Sequence, residues 1–556
     1  MKFTYINRLF WILVLGLYTT QAHAQLGNHK ETFTRADSLR GSLTTPLRTC
    51  YDINYYHLDV KFDIDNKFIS GNVLFKYTAT QDFTKLQFDL FSNLKVEKVV
   101  YKGKELPYTR EFNAVFVTFP QTIKSGSKEE FIVYYSGNPT IAKRAPWDGG
   151  VEYNVDSLGH KWVSTACQGM GASVWWPTKD QQADEVDSAL ISISVPNGLK
   201  DVSNGRLRKV TKLKDGYTRF DWFVANPINN YDIEANIGDY AHYSDTYQGE
   251  KGKLTMDFWP LSYNLEKAKK HWGANAKPML KAFEHWFGPY PFYEDGYKLV
   301  ETHHLGMEHQ SGTAYGNHYQ NGYLGRDLSG TGWGLKWDFI VVHESGHEWF
   351  GNNITSKDLA DMWIHESFTN YTESLFVEDN WGKQAGQEYV HGSRLGIQND
   401  GPIVGPYNVN KEGSGDMYPK GGNMLNMIRT VINDDEKWRS ILRGLNKTFY
   451  HQTVTYDQVV GYINEQSGKN FSPVFEQYLK HANIPTLEFM TINGKLMCRW
   501  IADVKDFNMP VRVRVKGGEY QFITPKTRFT PLTIAGATKD NLEVDTFNYY
   551  IGVLMD

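Results

Sequence analysis

Cysteine is scarce: Cys50, Cys167 and Cys498 are the only three in 556 residues. So few exclude a disulfide-built scaffold, because at most one bridge could form with one thiol left over. Their scatter also excludes a thiolate zinc site, which needs paired cysteines. Excess charge of either sign is lacking too. Lys and Arg number 59 against 63 Asp and Glu, a formal net charge of −4. That balance gives no footing to nucleic acid or an anionic membrane as a partner. After residue 24 no apolar run approaches the ~20 residues of a membrane-spanning helix, so no integral membrane segment is expected in the mature chain. Internal repeats, low-complexity tracts and long disordered linkers are also missing.

What remains is ordinary globular composition, 41% hydrophobic and 22% charged. The length exceeds a single core, so two to four domains are expected. The first 24 residues stand apart. "MKFTYINR" is a short basic start, "LFWILVLGLY" an apolar run of about half a membrane span, and "AHA" a small-residue cleavage site ending at Ala24. This is the layout of a secretory signal peptide over residues 1–24. No cysteine follows the cleavage site, so lipid attachment there is unsupported. Export to the periplasm or the medium is expected.

Aromatic residues are plentiful at 15%. Most belong with the strands read from Cys50 to about Tyr240, where "YYHLDVKFDI", "ISGNVLFKYTA", "KLQFDLF" and "ALISISVP" alternate apolar and polar residues. Near Leu265 the period changes. "LEKAKKHWGANAKPMLKAFEHWFG" has helical spacing, and helices continue to about Ala482. After "NIPTLEF" short strands return. The expected fold is multidomain α+β: an N-terminal antiparallel β domain over 25–245, a mainly α domain over 246–484, and a small C-terminal β-sandwich domain over 485–556.

The α portion holds the chemistry. In "VVHESGHEWFGNN", His343 and His347 lie four residues apart on a segment, Trp337 to Phe350, whose spacing predicts a helix. One helix face then presents both imidazoles to one ion. Catalytic zinc takes three protein ligands and keeps a position for water. "MWIHESFTNYTE" supplies Glu366, with 18 residues between it and His347, on the next predicted helix. A surface helix with two histidines would satisfy the first motif alone; the placed glutamate makes the pattern specific. Glu344 leaves the helix at another angle and suits a general base that takes a proton from water and passes it to a leaving amine. The reaction class is metal-assisted hydrolysis of an acyl bond.

"LGMEHQ", "HESGHEWFGNNIT", "MWIHESFTNYTE" and "MYPKGGNML" follow one another in an order and spacing that resembles the gluzincin-type zinc aminopeptidases, the family of aminopeptidase N and leukotriene hydrolase. "CQGMGASVWWPTKD" resembles that family's segment before its "P-C-x-D" turn, with Thr178 in place of the cysteine. The likeness extends over most of the mature chain. It implies a thermolysin-like catalytic domain and one zinc ion held by His343, His347 and Glu366, with Glu344 as base. It also implies that Tyr418, in the "Y-x-K-G" position, donates a hydrogen bond to the oxyanion. Glu373, two helical turns past Glu366, is a candidate to hold a ligand histidine from behind.

None of these residues selects an exopeptidase. The resemblance assigns that to Glu308, in a segment reading Gly306-Met307-Glu308-His309, whose carboxylate would pair with the substrate ammonium. Gln168, nine residues before Pro177, would be a second amine contact. Two departures stand out: His309 and His365 occupy positions where the family has asparagine. With His303 and His304, His309 forms a histidine cluster for which a second metal is the alternative to a plain polar patch. Many relatives continue into a large helical domain, whose absence here implies a more open site. The expected activity is a zinc aminopeptidase on peptides with a free N-terminus. The rivals are an endopeptidase or other hydrolase on the same site, and a non-catalytic binding protein on a retired peptidase fold.

Overall fold

In the computed structural model, which describes residues 32–41 and 45–555, alternation along the chain becomes a buried sheet face. Strand β1 (Tyr51–Asp63) pairs antiparallel with β2 (Phe68–Ala79). Tyr56, Leu58, Val60 and Phe62 point inward from β1 and the residues between them are only half-buried. These strands sit inside an eight-stranded sheet. The expected antiparallel arrangement holds along it with one exception: β1 runs parallel to β3 (Ser188–Pro196). No tight turn joins β1 to β3, and a long connection leaves strand direction free. Aromatic rings fill the space behind the sheet, among them Phe75 stacked on Phe131 at 4.5 Å and the buried pair Trp175 and Trp176.

A four-stranded sheet contains the strand Lys161–Ala166, which delivers the chain to Gln168. A five-stranded sheet follows, and the two-residue strand Gly306–Met307 lies at its edge, antiparallel to Thr313–Tyr315. The helices that matter for the site are α1 (Leu265–Phe287), α2 (Phe339–Gly346), α3 (Trp363–Trp381) and α4 (Pro419–Ile432). The chain closes with a four-stranded and a three-stranded sheet.

The buried apolar residues form one continuous core from Leu254 through the helices into the last strands, including Leu487, Phe489, Trp500 and Val513. A second core holds the N-terminal strands together with Trp259, Leu261 and Val300. The architecture is mixed α+β, with a β-rich N-terminal part and a helical part that carries the candidate site. All three thiols are buried and free, so no bridge forms. Among the described residues no helix is long and apolar enough to cross a membrane. The signal peptide read over 1–24 lies outside the described residues.

The helix predicted over Trp337–Phe350 is shorter than its pattern suggested. Asp338 caps it, its side chain accepting from the backbone N–H of Ile340 at 3.0 Å and Val341 at 3.2 Å. The α-helix ends at Gly346 and a wider π turn spans Glu348–Asn352. Within it Gly351 has φ of +138°, a backbone that a side chain would strain.

Candidate metal centre

Helix α2 carries His343 and Glu344, and His347 caps its end. The first turn of α3 brings Glu366 against them. Both imidazoles are fixed from behind. His343 Nδ1 lies 2.8 Å from Glu373 Oε1, while Tyr389 donates to the other Glu373 oxygen at 2.7 Å. His347 Nδ1 lies 3.0 Å from the Phe350 carbonyl oxygen and 3.2 Å from the Thr369 hydroxyl. With Nδ1 so engaged, each Nε2 turns toward Glu366 Oε2, at 3.8 Å from His343 and 3.4 Å from His347.

Donor atoms of His343, His347 and Glu366 all fall within 4.8 Å of one another. Glu366 Oε2 is buried and has no hydrogen-bond partner. Two imidazole nitrogens and an orphaned carboxylate oxygen converging on one point fit a zinc ion well. Burial opposes charge on all three side chains. Even so, the neighbouring carboxylates of Glu366 and Glu373 hold the His343 pKa well above the usual range, and Glu366 raises that of His347. The two imidazoles hold Glu366 far below the ordinary carboxylate range despite its burial. This is an electrostatic arrangement that wants positive charge at its centre.

Glu344 leaves α2 toward a different wall. Burial pushes its carboxyl up to about 7, against the opposing effect of His343 and His347. It lies against the edge strand: a Cβ on Gly306 would come 2.8 Å from Glu344 Oε1 and 2.8 Å from Ile340. Glycine at 306 is therefore what allows the backbone so close.

Glu308 is buried at the same wall. Gln168 Nε2 donates to Glu308 Oε1 at 2.6 Å and to Glu366 Oε1 at 3.1 Å, so one amide nitrogen ties the acidic anchor to a metal ligand. Three contacts to these residues were not read from the sequence. The Tyr231 hydroxyl donates to Glu308 Oε1 at 3.1 Å, Asn352 Nδ2 donates to the Glu308 carbonyl at 2.8 Å, and Asn370 Nδ2 reaches Glu373 at 3.2 Å. Asn352 had a signal, its place in "GNN" directly after the histidine motif, and Asn370 had another, one helical turn before Glu373.

Tyr418 lies between a short 3-10 turn and α4, with its ring 6.0 Å from that of His343. Desolvation in the cleft, then the charges of Glu366, Glu412, Glu308 and Glu344, raise its phenol well above the ordinary range. Gln168, Gly306, Met307, Glu308, His343, Glu344, His347, Glu366, Glu373 and Tyr418 all line one cleft of about 1290 Å³.

His309 does not join them, which corrects its reading as a substrate contact. Its ring is fully buried with Nδ1 2.8 Å from Glu234 Oε2. His309 is absent from the cleft lining and packs into the interior instead. His365 is likewise structural. Its Nε2 accepts from the Ser356 N–H at 2.9 Å, and burial then the charge on His347 push its pKa down to about 3. His303 and His304 both face Glu152, at 3.3 and 2.8 Å. Among the described residues the groups able to hold a metal are His343, His347 and Glu366, and the overlapping set Glu308, Glu344 and His347, so that pair forms no second site.

Comparison with known proteins finds a family match over the segment that holds the histidine motif and Glu366. Residues 276–478 match the Peptidase family M1 domain. The chain is 21% identical over 463 residues to a leucyl aminopeptidase of Saccharolobus solfataricus, covering 79% of this chain and 56% of that protein. It is 25% identical over 466 residues to an aminopeptidase N of Lactobacillus delbrueckii, covering 79% and 52%. It thus spans about half the length of these curated relatives. A crystal structure of an M1 zinc metallopeptidase from Deinococcus radiodurans superposes with a TM-score of 0.65 at 18% identity, over 78% of this chain and 95% of that one. That likeness establishes the fold.

Proposed function

From the premise that this chain carries a Peptidase family M1 domain, we propose that it is a zinc aminopeptidase removing the N-terminal residue of peptides. His343, His347 and Glu366 would hold one zinc ion, which when bound lowers the pKa of a water to near ~7 and polarises a carbonyl. Glu344 takes the proton of the attacking water and returns it to the leaving amine. Its carboxyl, pushed up to about 7 by burial, suits both halves of that transfer near neutral pH. The Tyr418 hydroxyl donates to the oxyanion, a contact worth roughly 3 kcal/mol of barrier. Glu308, with Gln168 beside it, pairs with the substrate ammonium. The edge strand Gly306–Met307 offers its outer backbone groups to the peptide main chain.

One observation carries the exopeptidase reading: the single Gln168 nitrogen within hydrogen-bonding reach of both Glu308 and Glu366. An ammonium held at Glu308 leaves room for only the first peptide carbonyl at the metal ligands. The names of the relatives, a leucyl aminopeptidase and an aminopeptidase N, support the same reading. The experiment compares free and N-acetylated peptides on purified protein of known zinc content. Free peptides are expected to be cleaved and acetylated ones not, with that preference lost in Glu308→Ala and turnover lost in Glu344→Gln. Equal cleavage of both peptides would make the protein an endopeptidase. Export with processing after Ala24 belongs to the same proposal and is tested by N-terminal sequencing of the protein recovered from cell fractions.

A further inference from the structure

The cleft lining contains one carboxylate with no assigned task. Asp148, Glu308, Glu344, Glu366, Glu373 and Glu412 all line it. Glu366 and Glu373 are committed to the histidines, Glu308 to Gln168 and Tyr231, and Asp148 accepts from the backbone of Lys143 and Arg144. Glu344 is the proposed base. Like Glu344, Glu412 has no hydrogen-bond or ion-pair partner among the described residues; its side chain is exposed to solvent at the cleft wall, where the charges of Glu366 and Glu308 act on it.

Its position is tied to the amine site. Glu412 lies on the long connection leading to Tyr418, and two residues earlier Asn410 Nδ2 donates to the Gly169 carbonyl at 2.8 Å. Gly169 directly follows Gln168. The segment bearing Glu412 is therefore stitched to the residue beside the proposed amine contact, and Glu412 also acts electrostatically on Tyr418. Neither cation of the lining is spare. Arg40 pairs with Asp180 at 2.9 Å and with the Met170 carbonyl, and Lys411 is itself engaged within the chain.

We infer that Glu412 selects substrates whose N-terminal residue is basic, arginine or lysine, by pairing with the side-chain cation while Glu308 holds the α-ammonium. This rests on the aminopeptidase reading and names its substrate class. The chemistry fits the walls. Met170, Leu305 and Phe339 also line the cleft and would cover the aliphatic stem of such a side chain, leaving its charged head for a carboxylate. A cation at that point also neutralises Glu412, which an apolar side chain cannot do.

The test is a panel of arginine, lysine, leucine, alanine and glutamate arylamides on the purified zinc-loaded chain, its Glu412→Gln variant and its Glu412→Lys variant. Arginine and lysine should lead in kcat/KM. Glu412→Gln should lower those two about tenfold and leave leucine and alanine within about twofold. Glu412→Lys should move the preference toward glutamate. Leucine leading in the unmodified protein overturns the inference. So does an equal loss on every substrate in Glu412→Gln, which would make Glu412 a contact to the α-amine. In both cases leucine arylamide is still turned over and the aminopeptidase reading stands. Failure to cleave any free-amine arylamide overturns that reading, and the Glu412 inference with it.

Discussion

Glu373 illustrates how a residue two turns from a ligand can govern it. One oxygen faces His343 Nδ1 at 2.8 Å and the other accepts from Tyr389 at 2.7 Å, so the imidazole tautomer and plane are fixed before any ion binds. Removing that support in Glu373→Ala is expected to weaken zinc binding by about 10- to 100-fold, measured by competition with a chelator. An unchanged affinity would reduce Glu373 to packing. The spacing of Glu366 and Glu373 was readable because both lie on one helix. Tyr231 and Tyr389 were not, because their contacts cross elements that no local pattern relates. His309 and His365 show the opposite failure. His309 was read as a substrate contact and His365 as a departure from the family pattern, and each is buried against a specific partner, Glu234 or the Ser356 N–H.

At the scale of elements, the turn after α2 matters as much as the helix. His347 is oriented by the Phe350 carbonyl, and that carbonyl points inward because the chain departs from helical geometry at Phe350 and Gly351. In Gly351→Ala a Cβ would meet His347 Nδ1 at 3.2 Å on a backbone with φ of +138°. The variant is expected to lose roughly 1–3 kcal/mol of stability and to bind zinc more weakly, seen as a lower Tm with and without metal. A Tm within experimental error of the parent would contradict this. Sequence periodicity read a helix through Phe350 because apolar spacing persists through a π turn. It read no strand at Gly306–Met307, because two residues carry no alternation. Longer elements were legible for the converse reason. Thirteen residues of β1 and 23 of α1 repeat their period often enough to stand above chance.

Across the whole molecule, the β-rich part and the helical part meet through polar contacts as well as through the site. Thr355, just past the π turn, donates to Glu185 on the N-terminal side. Burial, with Asp184 adding to it, pushes the Glu185 carboxyl up to about 8, although hydrogen bonds from Thr355 and Asn229 oppose the shift. An acid whose folded pKa is raised stabilises the fold fully below its unfolded value near ~4.3, and that contribution is lost as pH rises through about 8. Glu185→Gln should therefore gain Tm relative to the parent between roughly pH 5 and pH 9. A Tm difference that stays constant over that range would exclude the linkage. By itself the sequence determined the α+β order of elements and the residues able to bind a metal, because hydrophobic period and helical spacing are local properties of the chain. It could not determine that Gln168 touches Glu308 and Glu366 together, that Glu412 is left without a partner, or that His309 turns away. Those facts depend on which distant segments pack against one another, and only the tertiary structure decided them.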